Sequence, residues 1–147
     1  MSRMIFTLSA FGLFASGMLG ICDPSSAGEP PASAAPAVVP LMNRDVVGAP
    51  GKEAVMITVA YQPGGTSLPH RHDAQVFVYV LEGAMTMQVD GSAPVTLRAG
   101  QTFYEGPKDV HRVSMNASQT EAAKILVFMI KDKARPATRG VDEKAKP

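Results

Sequence analysis

The sequence predicts an all-β fold, a sandwich or barrel of short antiparallel strands, on three observations. Beyond residue 40 the chain breaks into roughly seven to nine runs rich in Val, Ile, Thr, Phe and Tyr, the residues that suit a pleated, half-buried surface. Turn-forming clusters separate these runs at intervals of roughly 8–12 residues, the spacing of sandwich and barrel proteins. No 3.6-residue apolar period is sustained after the N-terminal segment, so helices have no support. The 13 glycines and 12 prolines supply the turns that such a chain needs.

Taken in order, residues 28–40 are Gly, Glu, Pro, Ala, Ser and Val without period, and read as a disordered linker. Leu41 to Val47 offers a first edge strand, stopped by the turn cluster Gly48-Ala49-Pro50-Gly51. Glu53 to Gln62 is a convincing strand, ended by Pro63-Gly64-Gly65. Gln75 to Leu81 and Met85 to Val89 follow, joined through Glu82-Gly83. Asp90-Gly91 is a hairpin signal, since both residues tolerate the positive φ of a tight turn. Val95 to Arg98, Gln101 to Glu105 and Val110 to Met115 are short strands between turns. Lys124 to Lys131 is the last and most apolar. These strands place one barrel over residues 41–132, followed by a charged, solvated tail over 133–147.

A chain of 147 residues can bury one proper core and is short for two ordinary domains. Net charge is +1, with no basic cluster outside the tail, which argues against a nucleic-acid surface. Arg3, the apolar run Met4 to Ile21 and the small-x-small pattern Ser25-Ser26-Ala27 read as an export signal over residues 1–27. The run is shorter than the ~20 apolar residues of a spanning helix and is followed by Pro24, so an uncleaved anchor is the competing reading. Cys22, the one cysteine, leaves lipid attachment as a third, although the bulky Ile21 precedes it. Cleavage after Ala27 removes every thiol, so any metal site must use imidazole and oxygen donors. The expected destination is the periplasm or the exterior, with no membrane contact after cleavage.

The chemistry concentrates in the three histidines. His70 and His72 lie one residue apart at the mouth of the run Gln75 to Leu81, where alternation would aim both imidazoles into one space and Arg71 away from it. His111 must be brought back by the fold. Three neutral imidazoles suit Fe, Zn, Cu or Ni and leave coordination positions open. Glu105 ends a strand just before the loop to His111 and is a candidate fourth ligand or hydrogen-bond partner; Gln75 would serve only if a bulge turned it inward. Met85 and Met87 share one face, a pattern that suits Cu(I) but is more simply core packing. Most of Tyr61, Phe77, Tyr79, Phe103 and Tyr104 are expected in the core, with Ala74, Val76, Val78 and Val80 lining an apolar interior.

Gly64, His70, His72 and Gly83, with the ending Tyr79-Val80-Leu81-Glu82-Gly83, resemble the first motif of the cupins: Gly, five residues, His-x-His, three or four residues, Glu, six residues, Gly. Gly100 and His111 match the second motif in spacing. The resemblance spans about residues 41–132 and implies a double-stranded β-helix, or jelly-roll, barrel. It also implies His70, His72 and His111 as ligands of a divalent transition metal: Fe, Mn, Zn, Ni or Cu. Val76 stands where the family's acidic ligand is expected, which reduces the usual set to three histidines. Gly106, Pro107 and Lys108 replace the second motif's Pro-x-Gly, and Asn116 falls one residue late.

The resulting expectation is an exported metal-binding cupin, an oxygenase acting on a small organic substrate. Its alternative is a non-catalytic small-ligand or metal-binding module of the cell envelope. The edge strand near residues 41–47 offers a surface on which a homodimer could pair.

Overall fold

The structure, a computed structural model, describes residues 35–141. The segment read as an export signal, the cleavage position expected after Ala27, Cys22, most of the expected linker and the end of the tail lie outside these residues. Eleven strands follow one another: β1 (Ala37–Asp45), β2 (Lys52–Tyr61), β3 (Thr66–Ser67), β4 (His70–Arg71), β5 (Ala74–Glu82), β6 (Ala84–Val89), β7 (Val95–Arg98), β8 (Thr102–Glu105), β9 (Val110–Asn116), β10 (Ala123–Asp132) and β11 (Arg139–Gly140). None of the described residues is helical, and none belongs to a helix long and apolar enough to cross a membrane.

The strands form two antiparallel sheets, in the orders β1-β2-β10-β5-β8 and β11-β4-β9-β6-β7, with β3 also paired to β9. Strict alternation places Ala74, Val76, Val78 and Val80 of β5 inside, beside Ile125, Val127 and Met129 of β10. Met85 and Met87 of β6 are fully buried in the same cluster, so the pair packs the core. The same alternation corrects the expectation for the aromatics. Phe77, Tyr79 and Tyr104 are exposed on the outer face of β5 and β8, because the valines hold the inner positions. Tyr61 alone of the five is fully in the core, its hydroxyl bonded to Ser67 and Ser114.

Two segments differ from the expected boundaries. Residues 37–40, read as linker, begin β1 and pair with β2 from Ala37↔Ala60 onward. The Pro and Ala content masked a strand that is exposed along its whole length and shows no burial pattern. In the region read as solvated tail, Arg139 and Gly140 form β11 against β4. A two-residue pairing leaves no periodicity to read.

Gly83 explains the tight entry from β5 to β6. Its φ is +71°, and a Cβ there would lie 2.6 Å from the Ala122 carbonyl oxygen, so no other residue fits without displacement.

Candidate metal centre

The topology brings the histidines together by direct pairing. His70 of β4 is the register partner of His111 in β9, which returns the third imidazole to the first. His72 follows β4 immediately and turns its ring onto the same space. Ring centroids lie 4.8 Å apart for His70 and His72, and 5.1 Å for His70 and His111. One nitrogen from each ring falls within 4.8 Å of the others.

His111 faces inward through a bulge. Gln88 pairs with Val113 and Val89 with His111, so two residues of β9 span one step of β6 and Arg112 is left over. Arg112 is exposed and donates to Asp90 at 2.8 Å, while His111, Ser114 and Asn116 all point inside. The extra residue accounts for the late asparagine. Asn116 is fully buried, donating to the carbonyls of Gln62 and Glu121 and accepting from the Ser118 amide. The loop before His111 closes differently from Pro-x-Gly, through Asp109, whose carboxylate accepts from the Gly106 amide at 2.7 Å.

Each imidazole has an oxygen acceptor on Nδ1. His70 Nδ1 lies 2.7 Å from the Leu68 carbonyl oxygen and His72 Nδ1 2.6 Å from that of Ala137. His111 Nδ1 lies 3.0 Å from Glu105 Oε1. A carbonyl or carboxylate oxygen can only accept, so Nδ1 carries a hydrogen in each ring, and in the neutral imidazole Nε2 then carries the lone pair. Metal-ligating histidines use this same arrangement, the distal N–H held by a carbonyl or carboxylate. His111 Nε2 is buried and lacks a hydrogen-bond partner, an arrangement that normally costs free energy. A divalent ion held by the three Nε2 atoms would satisfy it, and the donor set fits such an ion. Burial pushes the His70 imidazole below its ordinary value, which favours the neutral, ligating form.

Glu105 lies beside the cluster, in contact with His111, and Gln75 does not. Glu105 is only 3% exposed, with Oε2 3.9 Å from His72 Nε2 in addition to its contact with His111. Alternation in β8 puts Phe103 and Glu105 on the inner side and Thr102 and Tyr104 outside. Phe103 stacks against His111 with centroids 5.8 Å apart. Gln75 is exposed on the outer side of β5, whose register with β10 is unbroken from Ala74 to Val80, so no bulge turns it inward. The acceptors Leu68 O and Ala137 O are backbone atoms and carry no sequence signal. His70 is half-buried, while His72 is 8% and His111 4% exposed, so His70 is the most accessible of the three.

Fold and cluster together define the double-stranded β-helix class, a jelly-roll barrel with three converging histidines. The cupin-domain family profile matches residues 57–129, and the chain belongs to the cupin family. Among solved structures, an oxalate oxidase in complex with glycolate is 26% identical at a TM-score of 0.57, covering 84% of this chain and 63% of its own. A conserved double-stranded β-helix protein from Klebsiella pneumoniae is 18% identical at a TM-score of 0.58, covering 74% of this chain and 86% of its own. The DMSP lyase DddQ from Ruegeria pomeroyi is 16% identical at 0.59, covering 76% of this chain and 54% of its own. Likeness to the last two shows the fold alone. No curated protein matches the sequence significantly.

Proposed function

We propose that this cupin binds one divalent transition metal through Nε2 of His70, His72 and His111, and acts as an exported oxygenase on a small organic substrate. The observation that carries this reading is the shared orientation of the three imidazoles, each with Nδ1 engaged by an oxygen. Three neutral imidazoles form a donor set that suits Fe, Mn, Zn, Ni or Cu and leaves positions open. A bound ion supplies Lewis-acid or oxygen-activating chemistry at those positions.

The chain's own residues do the rest. Glu105 holds the His111 ring in place and places a compensating negative charge beside the cluster. Phe103 and the inward valines of β5 give the site an apolar, water-excluding wall, in which charges interact more strongly than in water. Substrate enters from the half-exposed His70 side. Likeness to an oxalate oxidase, solved with glycolate, favours a small molecule as substrate. The leader-like residues 1–27 support export.

Oxygen uptake by anaerobically purified, metal-analysed protein tests the reading, over a panel of small organic acids and small apolar substrates. About one ion per chain with uptake that disappears in His72→Ala is the expected result. One ion per chain without turnover on any substrate would instead favour the non-catalytic envelope module.

A further inference from the structure

The acceptor that orients His72 comes from the far end of the chain. After β10 the backbone crosses back to the histidine strand, and three independent contacts hold it there. Ala137 O accepts from His72 Nδ1 at 2.6 Å, with the Thr138 hydroxyl oxygen 3.3 Å from the same nitrogen. Arg139 and Gly140 pair as β11 with Arg71 and His70, the residues immediately before His72. The Arg139 guanidinium donates to Asp73 Oδ1, the next residue, through Nε at 3.1 Å and Nη2 at 2.9 Å. Both partners of that ion pair are well shielded, with side-chain exposures of 14% and 20%. Ala137 itself packs against the core. The segment therefore grips the residues on either side of His72 and fixes its ring.

We propose that residues 137–140 are a strap that positions His72 for the metal, by holding its Nδ1–H tautomer and its orientation. The inference rests on the metal reading above and adds a determinant that lies outside the residues matched by the family profile. The other two rings are served locally or from β8: His70 by Leu68 O and His111 by Glu105. Of the three rings only that of His72 takes its acceptor from the C-terminal side, although the His70 backbone also pairs there with Gly140. An imidazole released from a single acceptor samples both tautomers, and in one of them Nε2 carries a hydrogen and cannot ligate. Partners that orient metal-ligating histidines typically contribute about 10- to 100-fold in affinity.

The test compares the full chain with a chain ending at Lys133 and with Arg139→Ala, each checked for folding by its thermal transition. Long-range proton–nitrogen NMR of the metal-free proteins at pH 8 reads the tautomer of each histidine, and chelator competition reads Zn2+ affinity. In the full chain His72 is expected as Nδ1–H. In both variants its signal should shift to a tautomer mixture while that of His111 stays, and Zn2+ affinity should fall by about 10- to 100-fold, most in the shortened chain. Arg139→Ala decides the matter where the shortened chain fails to fold. An unchanged His72 tautomer, or unchanged Zn2+ affinity in a folded variant, would overturn the strap. If the full chain takes up no Zn2+, the metal reading fails separately, and the His72 tautomer alone decides whether the strap positions the ring.

Discussion

Val76 of β5 and Glu105 of β8 are direct register partners, both pointing into the barrel. The valine occupies the place at which the cupin motif resemblance expects an acid, and the carboxylate stands one strand over. Neighbours opposite one another in a sheet have Cβ atoms about 4.5–5.5 Å apart, a distance a glutamate side chain can span. An apolar residue thus stands at the motif's acidic position, and a carboxylate faces it from the neighbouring strand.

This relationship yields a swap experiment. Glu105→Val should weaken metal binding by about 10- to 100-fold, because His111 loses its partner and the site its charge. Val76→Glu combined with Glu105→Val should recover much of that loss, since the acid returns to the facing position. Isothermal titration with the metal measures both, and a double variant as weak as the single one would show that the strand of origin matters more than the charge.

Met85 and Met87 are core residues, and their thioethers are not offered to solvent. Met85→Ala should destabilise the protein by about 2–5 kcal/mol in urea unfolding, the usual cost of a cavity left by a buried methionine. Metal stoichiometry should stay unchanged. A lost equivalent of copper with unaltered stability would restore the Met-x-Met reading.

Glu53 and Lys131 form an ion pair in which the lysine is buried, and the hydrogen bond from Lys131 holds the Glu53 carboxyl below its ordinary value. A carboxyl depressed in the folded state binds fewer protons there than in the unfolded chain, so it contributes stability above the unfolded value near 4.5. That contribution disappears as pH falls through the depressed value. Glu53→Gln should accordingly flatten the acid limb of the melting temperature against pH below about 4.5, while lowering stability at neutral pH. An acid limb identical to the wild type would remove this pair from the pH response.

Much of the barrel was legible because alternation and turn chemistry are local. The run Ala74 to Val80 declares its inner face residue by residue, and Asp90-Gly91 marks its turn. The histidine cluster was legible from motif spacing, since a pairing such as His70↔His111 follows once the barrel's register is known. Glu105 was a candidate without a direction, because the turn between it and His111 interrupts the period. Gln75 needed a bulge that lies elsewhere, at Arg112, where it re-aims His111. The outward Phe77, Tyr79 and Tyr104 show that aromatic residues on a strand do not identify its inner face by composition alone. The strap was illegible, because it acts through the carbonyl of Ala137, a group every residue carries.

Anomalous diffraction from crystals of the metal-loaded protein tests the three-histidine site directly. One anomalous peak per chain is expected at bonding distance, about 2.0–2.2 Å, from Nε2 of His70, His72 and His111, with Nδ1 of each still held by Leu68, Ala137 and Glu105. A peak on the Nδ1 atoms, or none at the histidines in protein that carries one ion per chain, would contradict it.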